Sequence, residues 1–356
     1  MAYAAISKPS LKMNTVLYTG TGASLAITGV GFEPDMVWTK CRSAIGNGNV
    51  FDSVRGATKR IFPHSTSAES TDAETLKTFD SDGFTVGTSD NVNVSSETYA
   101  SWNWLAATTH SGATGGSGTA KTYTGSVDTT SGISITKYTG NGTSGHTVPH
   151  NLGAIPKIIF TKELGGAGSW FTHVAAIDDY SKVLFLNTDS AESSQAYSYN
   201  AAPTSSVITY GNDGDLNGND QTYIAYSFAE IKGYSKFLSY VGNGSTDGAF
   251  VYTGFKPAFV MVKRIDGVVN WQQLDNKRSN TGGTNIIDEV FAPNTTDAEY
   301  DEGSSAWCGD LLSNGFKWRG DWSALNTSGG NYMFMAFASE PLVANVGDNG
   351  IPATAR

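Results

Sequence analysis

The chain has 356 residues, a formal net charge of −10 and only 16% charged side chains, against roughly 25% in an average globular protein. The negative balance disfavours nucleic acid, and no apolar run approaches the roughly 20 residues of a membrane span, so neither nucleic-acid binding nor membrane insertion is expected. Two cysteines, Cys41 and Cys308, are too few for a disulfide framework and read as isolated thiols of a chain made in a reducing cytoplasm.

In chain order, residues 1–16 are polar, lack an apolar core and form the expected anchor segment. The first unit, 17–106, opens on a strand that ends in Tyr18-Thr-Gly-Thr-Gly22 and returns through Ser24 to Ile27. Further strands are expected at Met36 to Thr39, Gly83 to Val86 and Tyr99 to Trp104, with the segment that runs through Ser70 to Lys77 read as a surface loop, a short helical turn being the alternative. Residues 107–133 are rich in Gly, Ser and Thr and predict a flexible linker with a terminal strand. The second unit, 134–232, carries expected strands at Lys157 to Thr161, Val183 to Leu186, Val207 to Tyr210 and Tyr223 to Phe228. The third, 233–342, carries Ala258 to Lys263, Gly315 to Trp318 and Tyr332 to Phe337, and a tail covers 343–356.

The three units share two phrases in fixed order. Tyr18-Thr-Gly-Thr-Gly22 returns as Tyr138-Thr-Gly-Asn-Gly142 and Tyr240-Val-Gly-Asn-Gly244. Gly31-Phe-Glu-Pro34 returns as Gly153-Ala-Ile-Pro156 and Gly254-Phe-Lys-Pro257. Glycine after a strand-ending Tyr supplies positive φ for a tight reversal, and Pro opens the next strand where no ladder donor is needed. In Tyr99 to Trp104 and Tyr223 to Phe228, large and small residues alternate, which fits a strand with one packed face. An ordered pair of phrases in triplicate predicts an all-β chain of three tandem β-sandwich-like repeat domains, each with its own aromatic core.

No spacing names a reaction. Gly140-Asn-Gly142-Thr-Ser-Gly145 matches a dinucleotide fingerprint in letters, but Pro149 follows too soon for the helix that a phosphate site requires. His146 and His150 flank the same Pro149 and cannot share a helix face. No Gly-x-Ser-x-Gly elbow is present, and no two carboxylates can be paired as in a glycosidase, so no enzyme is expected. No organic cofactor is implied. The cluster of Asp213, Asp215, Asn217 and Asp220 resembles the start of a calcium loop, though position twelve is Ile224 rather than Glu. It is the candidate Ca2+ site, with an ordinary hairpin loop as the alternative. Trp170, Trp271 and Trp322 fall in loop-like contexts and are the candidates for stacking on a sugar, with core packing as the alternative.

The phrases carry a resemblance. Tyr-Thr-Gly-Asn-Gly with Gly-Phe-x-Pro-Asp-x-Val-Trp, together with Phe51-Asp-Ser-Val-Arg-Gly56, Phe79-Asp-Ser-Asp-Gly-Phe84 and Leu312-Ser-Asn-Gly-Phe316, resembles a repeat family in virion proteins of tailed phages, especially those of marine bacteria and cyanobacteria. The second unit departs from the pattern by lacking Asp-Ser-Asp-Gly-Phe. The resemblance implies a non-enzymatic, tail-fibre-like protein on the virion exterior that assembles with other tail or capsid proteins as a homotrimer. It further implies attachment to a host surface glycan or protein, or else a purely structural head decoration or head fibre.

Overall fold

The computed structural model describes residues 4–278, 286–301 and 309–341, and the fold is almost entirely antiparallel strand. Cys308 and the tail from 342 lie outside the described residues. The first unit comprises β1 (Met13–Thr19), β2 (Leu25–Thr28), β3 (Met36–Cys41), β4 (Asn49–Asp52), β5 (Lys59–Arg60), β6 (Ser70–Thr71), β7 (Leu76–Asp80), β8 (Gly83–Val86) and β9 (Thr98–Trp104). There follow β10 (Thr108–Ala113), β11 (Gly115–Gly116) and β12 (Thr122–Asp128). The second unit has β13 (Ile133–Thr139), β14 (His146–Pro149), β15 (Pro156–Glu163), β16 (Phe171–Val174), β17 (Lys182–Phe185), β18 (Ser193–Ser194), β19 (Tyr199–Ala201), β20 (Val207–Tyr210), the single-turn helix α1 (Gly214–Asn217) and β21 (Thr222–Ala229). The third has β22 (Ser235–Val241), β23 (Phe250–Tyr252), β24 (Phe255–Arg264), β25 (Gln272–Asp275), β26 (Ile286–Ile287), β27 (Glu289–Val290), β28 (Tyr300–Asp301), β29 (Gly309–Leu312), β30 (Gly315–Trp318) and β31 (Asn331–Pro341).

One sheet order appears three times: β1-β9-β3-β4, β13-β21-β15-β16 and β22-β31-β24-β25. A second sheet faces each of these: β2-β8-β7, β14-β20-β19 and β23-β30-β29. Between the two sheets of each unit lies an apolar cluster, for example Val260, Leu274, Phe316 and Phe334 in the third.

The fold differs from the sequence expectation in three places. Residues 107–133 are not a linker: β10 and β12 form a hairpin that extends the second unit's first sheet to eight strands, while β11 pairs with β14 in its second sheet. The hairpin reads as linker because its outer side is solvent, so only Tyr123 and Val127 among its large side chains are buried. Residues 4–12 do not project as an anchor. Ala4 and Ile6 are buried, and Ala5 N–H donates to the Lys232 carbonyl at 3.1 Å. The segment Ser70 to Lys77, expected as a surface loop, is instead β6, a turn and the start of β7.

The cores are not three separate ones. β3 and β4 are buried at every residue, as are Tyr99 to Trp104 of β9 and Tyr223 to Ala229 of β21. Both faces of each first sheet are therefore covered. One face meets the unit's own second sheet, and the other enters a common cluster that draws Trp38, Trp102, Ile135, Phe160, Met261 and Met335 from all three units. At its middle Trp104, Phe228 and Phe337, one from each closing strand, meet edge to face. Their ring centroids are 6.3, 6.0 and 5.9 Å apart at interplanar angles of 66–67°.

The units close on one another in a cycle. Glu69 N–H donates to Leu164 O at 2.9 Å, Glu192 N–H to Ile265 O at 2.8 Å, and Glu299 N–H to Arg42 O at 3.0 Å. The first unit thus grips the second, the second the third, and the third the first. Buried Asp–Arg–Glu networks brace two of the joins. In the network of Asp52, Arg55 and Glu69, Asp52 accepts from the Tyr226 hydroxyl, and in that of Asp275, Arg278 and Glu299, Asp275 accepts from Trp102 Nε1 at 2.9 Å. At the third join Val174 and Ile177 stand in the corresponding places, inside the common cluster with Met335.

Three buried lysines occupy one strand position. Lys40 Nζ donates to Gly46 O at 3.2 Å and Thr295 O at 3.0 Å; Lys162 to Glu163 O at 2.6 Å and Gly166 O at 3.3 Å; Lys263 to Asp189 O at 3.1 Å, Arg264 O at 2.8 Å and Gly267 O at 3.2 Å. Each stitches the loop after its own strand, and Lys40 and Lys263 also tie in a neighbouring unit. Burial pulls each from 10.5 to about 8, while the unfolded chain holds these protons to about pH 10.4. At these three sites the unfolded state binds more protons between pH 8 and 10, so their contribution to stability rises with pH across that window. The urea midpoint is expected to climb from pH 8 to 9, below the range where tyrosines of the unfolded chain ionise ahead of the buried ones, and to flatten when all three lysines are replaced by Met. A midpoint in the parent protein that is flat or falling over this range contradicts the assignment.

Candidate functional site

The repeated Tyr-x-Gly-x-Gly phrase is a structural lock. Tyr18, Tyr138 and Tyr240 stack on Tyr99, Tyr223 and Tyr332 at 5.0, 5.1 and 5.0 Å, and their hydroxyls donate to the carbonyls of Val92, Leu216 and Leu325. A Cβ on Gly20, Gly140 or Gly242 would lie 2.1 to 2.4 Å from a facing carbonyl oxygen, so only glycine fits. Beneath each turn sits a buried asparagine: Asn93, Asn217 or Asn326. Its Oδ1 accepts from the backbone N–H of Thr21, Asn141 or Asn243 at 2.8 to 2.9 Å. Its Nδ2 donates to carbonyls on two sides, as Asn217 does to Gly211 at 2.7 Å and Thr143 at 2.9 Å. An amide side chain suits this place because it satisfies buried donors and acceptors together.

This lock absorbs the candidate calcium cluster. Asp213 caps α1 by accepting from Asp215 N–H at 2.9 Å, and Asp215 accepts from Ser169 N–H at 3.2 Å. Asn217 is committed to the turn, with His146 Nδ1 at 2.8 Å from its Oδ1. Asp220 pairs with Lys121. Among the described residues no group of three or more His, Cys, Asp or Glu side chains is placed to hold a metal ion.

The three tryptophans separate. Trp170 and Trp271 are 1% and 0% exposed and belong to the common cluster. Trp170 Nε1 donates to Phe62 O at 2.8 Å and Trp271 Nε1 to Phe185 O at 3.0 Å, each a carbonyl of the preceding unit. Neither ring face is open to a sugar; both rings join units. Trp322 is half-buried against the third unit's core, and its carbonyl accepts from Asn326 N–H at 2.7 Å at the head of the lock.

A groove with none of these residues is the better candidate. It holds about 680 Å³ between the loops at Glu33 to Asp35 and Ser53 to Val54 of the first unit and the strands β10 and β12. Ser53, Thr109, Ser111, Thr124 and Ser126 supply hydroxyls, Glu33 and Asp35 carboxylates, and His110 an imidazole. Asp35 is positioned by Ser53 Oγ at 2.6 Å and by Ala106 N–H at 2.7 Å. The His110 ring lies on bare backbone: a Cβ on Gly125 would come within 2.4 Å of it. Both its ring nitrogens lack a hydrogen-bond partner. Both nitrogens are themselves covered, and burial lowers the pKa below 6.5, so at neutral pH the ring is an uncharged wall of the groove. Hydroxyls and carboxylates lining one cleft beside an uncharged imidazole ring suit a polyhydroxylated ligand held by hydrogen bonds. The sequence reading missed this groove because one wall is the segment taken for a linker. The signal was there in the alternation of Tyr123, Gly125 and Val127 with Thr and Ser.

One protein-family model, described as a domain of unknown function (DUF7483), matches residues 8–341. No curated protein and no solved structure matches.

Replacing Asn217 by Ala strands buried partners on both sides of the turn and is expected to cost about 1–3 kcal/mol. Asp213→Ala and Asp220→Ala in calcium-containing buffer should respond to a chelator as the parent does, which is not at all. A rise in Tm with calcium that both Asp variants abolish would restore the metal reading.

Proposed function

Since the chain belongs to the DUF7483 family, which is defined by sequence without an activity, we propose that it is a non-enzymatic, tail-fibre-like protein on the exterior of a tailed-phage virion, made in the bacterial cytoplasm, which helps attach the particle to its host. The observation that carries this reading is the hydroxyl-lined groove at His110 mounted on a core shared by all three units. A rigid base with a polar cleft suits recognition of a glycan without altering it. The phrases that resemble virion repeats support the same reading. So does the low charge density, which leaves hydroxyls and amides to solvate the surface. Its partners on this reading are a host surface glycan or protein and other tail or capsid proteins, within a homotrimer.

A second reading is favoured by the cyclic closure of the three sandwiches. One chain then presents three similar sides and suits a threefold site as a head decoration or head fibre, touching only virion proteins.

Titration calorimetry with polysaccharides from the host envelope separates the two. The attachment reading expects saturable heat that Thr124→Arg, on the exposed wall of the groove, removes without a change in Tm. The same glycan should show no release of reducing ends. Absence of binding, with the protein located on the head in a particle reconstruction, would leave the decorative role standing.

A further inference from the structure

We propose that the open side of the third unit, between β22 and β23, is a docking edge for a β-hairpin of a partner protein, one that presents a basic side chain beside Ser239. The proposal stands apart from the groove at His110 and does not need it.

The second unit shows how such an edge is filled. β12 pairs with β13, with Gly125 opposite Thr136, and β11 pairs with β14. Thr136 is thereby only 1% exposed. In the third unit β22 holds the place of β13, since Tyr240 repeats the stacking and hydroxyl bond of Tyr138. β23 holds the place of β14. Both stand last in their sheets, with no strand beyond them among the described residues. Leu238, where the second unit has Thr136, is 45% exposed, and Val241, Phe250 and Tyr252 are exposed beside it.

The backbone is poised as well. Gly242 N–H donates to Gly330 O at 2.9 Å, in register with the pair Val241 and Asn331. In an antiparallel ladder the bonding alternates, so Phe237, Ser239 and Val241 turn their N–H and C=O outward. An edge of this kind, with apolar side chains on it, is a template for an added strand.

Charge selects the occupant. Alongside β22 lies a cavity of about 340 Å³ that Ser239 lines together with Asp178, Asp179, Glu192, Asp266 and Lys182. Of its four carboxylates, Glu192 is paired with Lys182 at 2.7 Å and Asp266 with Arg264 at 2.7 Å, which leaves Asp178 and Asp179 as the acidic side of the cavity. Ser239 corresponds to Lys137, whose partner on β12 is Thr124. A lysine at that position of an added strand would lie on the face of this cavity.

The probe is a synthetic peptide of residues 105–130, in its own sequence and with Thr124→Lys, added to the full chain and read by hydrogen–deuterium exchange. Saturable protection of 235–241 and 250–252 is expected, reached at a several-fold lower concentration with Thr124→Lys. Ser239→Pro removes an outward N–H and should abolish the protection; Leu238→Glu, which leaves the ladder intact, serves if the proline variant loses its near-ultraviolet circular dichroism. Lack of protection with both peptides, or protection that survives both variants, overturns the proposal. A concentration-dependent dimer of the peptide-free chain that Leu238→Glu dissolves also overturns it, by assigning the edge to a second copy.

Discussion

Trp104, Phe228 and Phe337 meet because the three sheets that carry them have nowhere else to bury their second faces. A sandwich ordinarily hides one face of each sheet and wets the other. Here the closing strands hide both: in β31, Tyr332, Phe334 and Ala336 point into the unit's own sandwich, while Met333, Met335 and Phe337 point into the common cluster. On a strand buried twice over, a polar group is costly on either face unless it finds a partner. The burial of the lysines at their carbonyl acceptors, the paired Asp–Arg–Glu networks and the tryptophan joins all follow from that geometry.

Much of the fold was legible because turn chemistry is local. Tyr, two glycines and a facing Asn suffice to specify a reversal, and the strands flanking each phrase lie where the phrases imply. What was not legible is long-range. In β9, Ser101 and Asn103 alternate with Trp102 and Trp104, a pattern that a half-solvated strand would also show. Both polar residues are in fact buried, and Asn103 Nδ2 donates to Asn14 O at 3.0 Å. Alternation in size marks two unlike environments without saying that either one is water. β24 and β31, apolar on both faces, do declare their double burial in the sequence.

The same ambiguity misassigned the sites. Trp170 and Trp271 follow loops rich in Gly and polar residues, and only the preceding unit's carbonyls reveal them as joins. The acidic run at Asp213 spells a metal loop in letters, but its Asn217 is the buried amide common to three turns. The hairpin at 108–128 looks like linker because a strand laid over an existing edge needs few apolar residues of its own. Its two consequences are the groove at His110 and the covered side of the second unit, where the corresponding strands β1 and β22 of the other two units stand last in their sheets among the described residues.

If the three first sheets share one core, side chains in different units must be energetically coupled. A double-mutant cycle on Trp104→Ala and Phe337→Ala, measured by urea unfolding, tests this directly across units far apart in sequence. Each single substitution should cost about 3–5 kcal/mol. The pair should depart from additivity by at least about 0.5 kcal/mol, as expected for side chains in contact. Two strictly additive losses, with separate unfolding transitions for the first and third units, would mean that the units fold as independent modules in series.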